Sequence, residues 1–235
     1  MTVRAKAHRL RPTTVAAMLV LVASLPLPGV DLVSPAAAVR KSAAVELPVF
    51  QSSITRIGPN QAGRMSPSWR AGCPVGLAQL RLLQVTYHGF DGAAHTGRIV
   101  VHERWAEPVV DVFRTAYDAR FPIRRMRLVD RYQGSDARSM AANNTSGFNC
   151  RLAQGSDHWS RHAYGAAIDV NPVQNPYVQG PTVLPAAGED FVERTPRRKG
   201  MVTREVRQAF ADIGWSWGGD FVTIADYQHF SAAGG

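Results

Sequence analysis

The sequence is poor in cysteine, in lysine and in long hydrophobic runs. Its 235 residues include two cysteines, which excludes a small scaffold held together by many disulfides. With 45% hydrophobic and 19% charged residues, the chain is neither disordered throughout nor collagen-like. It contains no internal repeat, heptad pattern or low-complexity block. The composition is that of an ordinary globular domain.

Several well-known catalytic motifs are also absent. A serine peptidase of the penicillin-binding kind needs Ser-x-x-Lys, but Ala38 and Pro196 stand three residues before Lys41 and Lys199. There is no His-Glu-x-x-His, so a thermolysin-like helix is excluded. Residues 214–218 do match the Gly-x-Ser-x-Gly elbow of hydrolases, but that elbow needs a strand before it, and here a predicted helix precedes it.

The first 38 residues have the pattern of a secretory signal peptide. Basic residues precede an apolar run from Val15 to Leu25, and a small-residue stretch ends at Ala38. The run is short, although an uncleaved N-terminal anchor stays open. The full chain has a net charge of +9, and removal of the leader, with four basic residues and one acid, leaves +9 − (4 − 1) = +6. An exported basic chain is expected to meet anionic wall polymers and not nucleic acid. We therefore predict a protein that is secreted or associated with a bacterial cell wall. We also expect it to be a monomer.

Export also affects how the two cysteines are interpreted. Cys73 and Cys150 are an even pair in an oxidising compartment, which favours one structural disulfide between them. The alternative is that Cys150 is a catalytic thiolate, activated by His158 or His162. The two hypotheses are mutually exclusive, because a cysteine in a disulfide has no thiolate.

Hydrophobic periodicity predicts an α+β domain with a mainly antiparallel sheet and helices packed on one face. Residues 39–72, rich in Ser, Pro, Gly and Ala, are predicted to form a flexible arm before a domain over residues 73–235. Predicted strands cover residues 80–87, 96–102, 123–132 and 166–170 and the end of the tail near Phe230; the first two form a hairpin. Predicted helices cover residues 105–121 and 203–213, and residues 133–154 and 173–200 are predicted as connections.

Two segments carry the strongest chemical signal: residues 160–169, Ser-Arg-His-Ala-Tyr-Gly-Ala-Ala-Ile-Asp, and residues 226–229, Asp-Tyr-Gln-His. A catalytic zinc site needs neutral imidazoles and a carboxylate around the ion, with one position open. His162, Asp169 and His229 supply that set. Asp226 is then left as a general base, or as a residue that orients a zinc-binding histidine.

This pattern resembles the M15 zinc peptidases, which include D-alanyl-D-alanine carboxypeptidases and L-alanyl-D-glutamate endopeptidases. The resemblance covers about residues 120–232. It implies that His162, Asp169 and His229 bind zinc and that Asp226 is the general base. It also implies the small α+β fold that the family shares with the hedgehog signalling domain.

The sequence departs from the family at one position. Several members have an arginine at the end of the strand before the motif, where it stabilises charge on the scissile carbonyl. The comparable segment here reads Asp-Arg-Tyr-Gln over residues 130–133, so that arginine is absent or displaced. Arg151 is the first candidate to replace it, and Arg131 is the second.

The sequence thus predicts an exported zinc metallopeptidase that cuts peptidoglycan stem peptides, as a carboxypeptidase or an endopeptidase. One alternative is a catalytically inactive, metal-containing module of the same fold that binds the cell wall. Another is a structural wall protein in which the His and Asp pattern is accidental. A fourth protein ligand, or a plug formed by residues 173–200, would favour the inactive module.

Overall fold

The computed structural model describes residues 48–232, so the predicted signal peptide and the first part of the predicted arm lie outside the described residues. The helices are α1 (Pro59–Arg64), α2 (Ala106–Asp118), α3 (Asp136–Ala141) and α4 (Arg204–Asp212). The strands are β1 (Ser52–Arg56), β2 (Leu80–Gly89), β3 (Ala94–His102), β4 (Pro122–Ile123), β5 (Ala167–Asp169), β6 (Tyr177–Gln179), β7 (Thr182–Leu184), β8 (Trp215–Trp217), β9 (Ala225–Asp226) and β10 (His229–Ala232). Among the described helices, none has the length and apolar character needed to cross a bilayer.

The strands form three sheets. The first has the order β1-β2-β3 with antiparallel pairing, and β4 adds to β2 in parallel. The second has the order β5-β10-β8 and the third β7-β6-β9, both antiparallel. The α+β class with mainly antiparallel pairing is therefore confirmed. The prediction did not anticipate the third sheet, because it places β6 and β7 inside a connection.

The predicted hairpin is present as β2 and β3, and both of its faces are buried. Leu83 and Val85 point into the larger hydrophobic cluster, while Leu80 and Leu82 point into a smaller one on the opposite face. This follows from the alternation of side chains along a strand. Because both faces are covered, the hairpin forms the centre of the domain.

The larger cluster connects the two predicted helices to the second sheet. Helix α2 packs against β2 and α4, and α4 packs against β8. Thr203 caps α4, where its side chain accepts a hydrogen bond from the backbone N–H of Val206 at 3.3 Å. Phe210 on α4 stacks on Phe230 of β10, with 4.0 Å between ring centroids. The strand that begins at His229 is therefore held against the core.

The predicted arm over residues 39–72 differs from the structure in its described part. Strand β1 pairs along its length with β2, and Met65 is 1% exposed in the smaller cluster. The domain therefore begins before the predicted boundary at residue 73. The sequence pattern did not indicate this, because β1 is an exposed edge strand made mostly of polar residues.

The strand predicted over residues 123–132 is wrong beyond Ile123. In this segment, side-chain amide oxygens accept hydrogen bonds from the backbone N–H groups. Arg124 N donates to Asn171 Oδ1 and Arg127 N donates to Asn144 Oδ1, each at 2.9 Å. The segment then ends in a 3₁₀ turn at Val129–Tyr132. Local periodicity cannot report hydrogen bonds to residues that lie far along the chain.

Candidate metal centre

His162 lies in a 3₁₀ turn, Arg161–Tyr164, that the motif itself shapes. The Ser160 hydroxyl caps the turn by accepting a hydrogen bond from the His162 backbone N–H at 3.3 Å. Gly165 ends the turn in a left-handed conformation, with φ of 62°. The chain then enters β5, so the turn and the strand present His162 and Asp169 to the same site.

His229 reaches the site through strand pairing. It is the first residue of β10, and its Cα lies opposite that of Asp169 in the antiparallel ladder with β5. His229 Nδ1 lies 3.1 Å from Asp169 Oδ1 and makes a hydrogen bond with it. The pairing of two strands thus brings together residues 60 positions apart in the chain.

The three predicted ligands meet around one point. Among residues 48–232, His162, Asp169 and His229 form a group in which one potential ligand atom from each lies within 4.8 Å of the others. All three are largely buried, with side-chain exposures of 3%, 5% and 14%. The structure therefore brings together the set that the sequence predicts.

The hydrogen bonds of His162 show that these residues fit a metal ion. Its Nδ1 lies 2.7 Å from the carbonyl oxygen of Gly147, so Nδ1 carries a proton, and in the neutral ring the lone pair is on Nε2. Nε2 lies 3.1 Å from Asp169 Oδ2 but makes no hydrogen bond there and is buried. Two acceptors this close need a positive charge between or beside them, and a bound metal ion would satisfy both.

Burial and charge perturb the ionisation of this group. Burial alone would raise the pKa of Asp169, but the neighbouring imidazoles of His162 and His229 hold it well below its usual range. Burial would lower the pKa of His229, but the Asp169 carboxylate raises it above the ordinary value for histidine. The carboxylate is thus ionised and ready to bind a cation.

Asp226 lies beside the three ligands without being one of them. Burial raises the pKa of Asp226 to about 6, even though the charge of His229 opposes that shift. Its Oδ1 atom is buried and has no hydrogen-bond partner among the described residues. A carboxyl group with a pKa near neutrality and a free oxygen is suited to accepting and returning a proton.

Gly218 makes room for Asp226 and His229. A Cβ atom at Gly218 would lie 2.6 Å from the Asp226 carbonyl oxygen and 3.2 Å from the His229 Cβ. The Gly-x-Ser-x-Gly match therefore has a packing explanation. Ser216 lies within strand β8, which leads into a 3₁₀ turn, and not on a strand-to-helix elbow.

Arg151 borders the same cavity as the metal ligands. Its Nη2 forms an ion pair with Asp136 Oδ2 at 2.9 Å, while its Nε is buried without a hydrogen-bond partner among the described residues. The Nε–H is therefore a hydrogen-bond donor that the described residues leave unpaired. Arg131, the second candidate, lies in the 3₁₀ turn that ends at Tyr132 and does not line this cavity.

Cys150 and Cys73 form the predicted disulfide, with 5.9 Å between their Cα atoms. Cys150 therefore has no free thiol, and the alternative of a cysteine nucleophile is excluded. The disulfide instead anchors the segment that continues into Arg151.

A cavity of about 460 Å³ opens beside the three ligands. The β6–β7 hairpin borders it through Tyr177 and Leu184, and Tyr177 pairs with Asp226 across the third sheet. Burial, followed by the charge of Asp226, raises the pKa of Tyr177. Sequence reasoning missed Tyr177, because no local pattern connects it with Asp226.

Gln228 is the second residue of the site that sequence reasoning missed. Its side chain lines the cavity, is 2% exposed and has a buried Oε1 without a hydrogen-bond partner among the described residues. A hydrogen bond from Gln228 lowers the pKa of Asp226 against the larger effect of burial. In the sequence, only the position of Gln228 between Asp226 and His229 indicates that it lies in the site.

Comparison with known proteins agrees with this site. Residues 154–232 match the M15 peptidase family model described as D-alanyl-D-alanine carboxypeptidase, and the match includes the three ligands and Asp226. No curated protein and no solved structure matches the chain, so the likeness to the hedgehog fold stays a prediction. The match therefore supports, for residues 154–232, a relationship to the M15 family peptidases.

Proposed function

We propose that the protein is an exported zinc metallopeptidase that hydrolyses peptide bonds in peptidoglycan stem peptides. The family supports a peptidase with D-alanine carboxypeptidase-type activity. The observation that carries the finer proposal is the convergence of His162, Asp169 and His229 within 4.8 Å, beside an open cavity. Two imidazoles and one carboxylate are a ligand set typical of catalytic zinc.

The metal would be held by His162, Asp169 and His229. When bound, zinc supplies a Lewis acid that polarises the scissile carbonyl and makes a water molecule more acidic. The fold holds the three ligand side chains in place and shields most of their surface from bulk water.

Asp226 and Arg151 would supply the remaining chemistry. Asp226 accepts a proton from the attacking water and passes it to the nitrogen of the leaving amine, so that an amide becomes a carboxylic acid and an amine. Arg151 donates its free Nε–H to the carbonyl oxygen as negative charge develops there. Its ion pair with Asp136 fixes the guanidinium for this role.

Two features support an enzyme over an inactive binding module. Among the described residues, no fourth His, Cys, Asp or Glu joins the ligand group. Residues 173–200 border the cavity with Tyr177 and Leu184 but leave about 460 Å³ open beside the ligands. Substrate therefore has space next to the metal site.

The predicted leader and the net positive charge that remains without it support action at an anionic cell wall, outside the cytoplasm. The partner would be the peptide part of peptidoglycan, with the protein acting as a monomer. Neither nucleic acid nor a stable membrane partner is part of this proposal.

The test is mass spectrometry of muropeptides incubated with zinc-loaded protein, together with a measurement of bound metal. The wild type should hold about one zinc ion and cleave stem peptides. His162→Ala should lose both properties, and Asp226→Asn should keep zinc but lose activity by about 10²- to 10⁴-fold.

His95→Ala is the matched control, because His95 is exposed and pairs with Asp91 away from the site. It should behave like the wild type. The proposal fails if the wild type holds no zinc, or if His162→Ala digests muropeptides as well as the wild type does.

A further inference from the structure

A second groove continues from the metal cavity. It has a volume of about 500 Å³ and shares Arg161 and Ala232 with the metal cavity. We call it the Arg104–Arg161 groove. Its lining residues are Arg104, Trp105, Arg161, Ala166, Ile213, Gly214 and Ala232. Two of them are cations and none is an acid.

The positive charge of this groove is not neutralised from within the described residues. Neither Arg104 nor Arg161 forms an ion pair with a carboxylate there. Two acids directly adjoin lining residues in the sequence, and both have other partners: Glu103 pairs with Arg81, and Asp212 accepts a hydrogen bond from Gln208. Two uncompensated guanidiniums beside a metal site attract an anionic group.

The two arginines are brought together by the same glycine that shapes the metal turn. The carbonyl of Gly165 accepts a hydrogen bond from the His102 backbone N–H at 2.9 Å. This contact holds the turn that carries Arg161 against the end of β3, two residues before Arg104. A larger residue would prevent it, because a Cβ at Gly165 would lie 2.5 Å from that nitrogen.

Aromatic rings position both guanidiniums. Arg104 Cζ lies 4.8 Å from the centre of the Trp105 ring, and Arg161 Cζ lies 6.0 Å from that of Tyr164. A guanidinium that lies over a ring can still donate its N–H groups to a carboxylate. Trp105 and Ile213 add an apolar floor to the groove.

We propose that the Arg104–Arg161 groove binds a free carboxylate of the stem peptide, at a distance from the bond being cut. This inference rests on the proposed function, because it names the part of the substrate that the groove holds. Arg161 directly precedes His162 and lines both cavities. One short peptide can therefore reach the metal centre and the groove at once, and the apolar floor suits its aliphatic side chains.

The test measures binding without catalysis. Metal-free protein is mixed with insoluble peptidoglycan from which phosphate polymers have been removed, and the bound fraction is measured by sedimentation. The double variant Arg104→Gln/Arg161→Gln should bind about tenfold more weakly than the wild type, because two charge-assisted contacts are lost. The difference should shrink as salt is added.

The matched control is Arg114→Gln. Arg114 is exposed and, like the groove arginines, lies over a ring, with Cζ 4.6 Å from the centre of the Phe50 ring, but it does not line the groove or the metal cavity. It should bind as the wild type does. A stem peptide with amidated carboxylates should bind the wild type as weakly as the unmodified peptide binds the double variant.

The inference is overturned if the double variant binds phosphate-free peptidoglycan as tightly as Arg114→Gln does. It is also overturned if the difference appears only on walls that keep their phosphate polymers, since the ligand would then be that polymer. These outcomes are independent of hydrolysis. If the wild type binds through the two arginines but does not cleave with zinc present, the proposed function fails and the binding groove remains.

Discussion

At the scale of single residues, Gly165 contributes to two features of the site. It ends the turn that carries His162, and it lets that turn approach the backbone of His102. Both require a residue without a side chain, because φ is positive and a Cβ would meet the His102 nitrogen at 2.5 Å. The glycine in the motif is therefore explained by backbone geometry and by packing.

Replacing Gly165 by Ala should cost about 3 kcal/mol of unfolding free energy, through backbone strain and overpacking together. Gly155→Ala is the control: the φ of Gly155 is also positive, at 71°, but no atom of the described residues lies within 4 Å of the added Cβ. It should cost about 1 to 2 kcal/mol. Denaturant unfolding of the metal-free proteins measures both values, and equal losses would contradict this account of Gly165.

Protonation of the ligands sets how the metal site responds to pH. Asp169 raises the pKa of His229 against the effect of burial, so the protonated imidazole stabilises the metal-free fold at low pH. That contribution is lost as pH rises through the raised pKa. A metal ion needs the same imidazole without its proton, so proton and metal compete for it.

The stabilisation of the protein by zinc should therefore grow as pH rises. Below the raised pKa of His229, apparent zinc affinity should fall about tenfold for each pH unit if one proton must leave. Thermal unfolding with and without zinc, from about pH 5 to about pH 8, measures this. A shift in melting temperature that does not change over that range would show that His229 does not bind the metal.

At the scale of elements, the disulfide ties the start of the domain to the loop that carries Arg151. Ser68 accepts a hydrogen bond from the Cys150 backbone N–H at 2.9 Å, and Arg70 donates to the Cys150 carbonyl at 3.0 Å. Cys73 completes the connection through the disulfide. Two hydrogen bonds and the disulfide thus fix Cys150, and this restricts where the guanidinium of the next residue, Arg151, can lie.

The double variant Cys73→Ala/Cys150→Ala should lose about 4 kcal/mol of unfolding free energy, because the disulfide spans 77 residues and limits the unfolded chain. Denaturant unfolding measures the loss, and reduction of the wild type should produce a similar one. In addition, turnover should fall more than zinc content, since the metal ligands lie outside the anchored segment. A variant as stable as the wild type would contradict the proposed contribution.

At the scale of the whole molecule, two hydrophobic clusters cover opposite faces of the β2–β3 hairpin. The larger cluster contains α2, α4 and β10 and so supports the strand of His229. The smaller one contains Met65, Phe148 and Cys150 and so supports the loop before Arg151. The two sides of the candidate site thus depend on different parts of the core.

A chain that begins at Cys73 should be much less stable than one that begins at Pro48. The shorter chain lacks β1, which covers the edge of β2, and lacks Met65, whose loss alone should cost about 2 to 5 kcal/mol. Thermal unfolding followed by circular dichroism compares the two. If both unfold cooperatively at the same temperature, the boundary predicted at residue 73 is the correct one.

The spacing within residues 160–169 and 226–229 was sufficient to predict the ligand set, because zinc chemistry restricts which side chains can serve. The hairpin and the two long helices were also predictable, since their periodicity is local. Tyr177 was not, because its proximity to Asp226 depends on a pairing between β6 and β9. The same holds for the pairing of β1 with β2, since edge strands carry little hydrophobic pattern.

By itself, the sequence determined the class of the fold, the candidate ligands and the disulfide, because each depends on residue type and on spacing along the chain. Which other side chains lie near the candidate ligands was decided only by the tertiary structure. It placed His229 opposite Asp169, left Asp226 buried with no partner for Oδ1 within residues 48–232, and joined Arg104 and Arg161 in one groove. The physical reason is that strand pairing and desolvation act between residues far apart in the chain, and a local pattern does not record them.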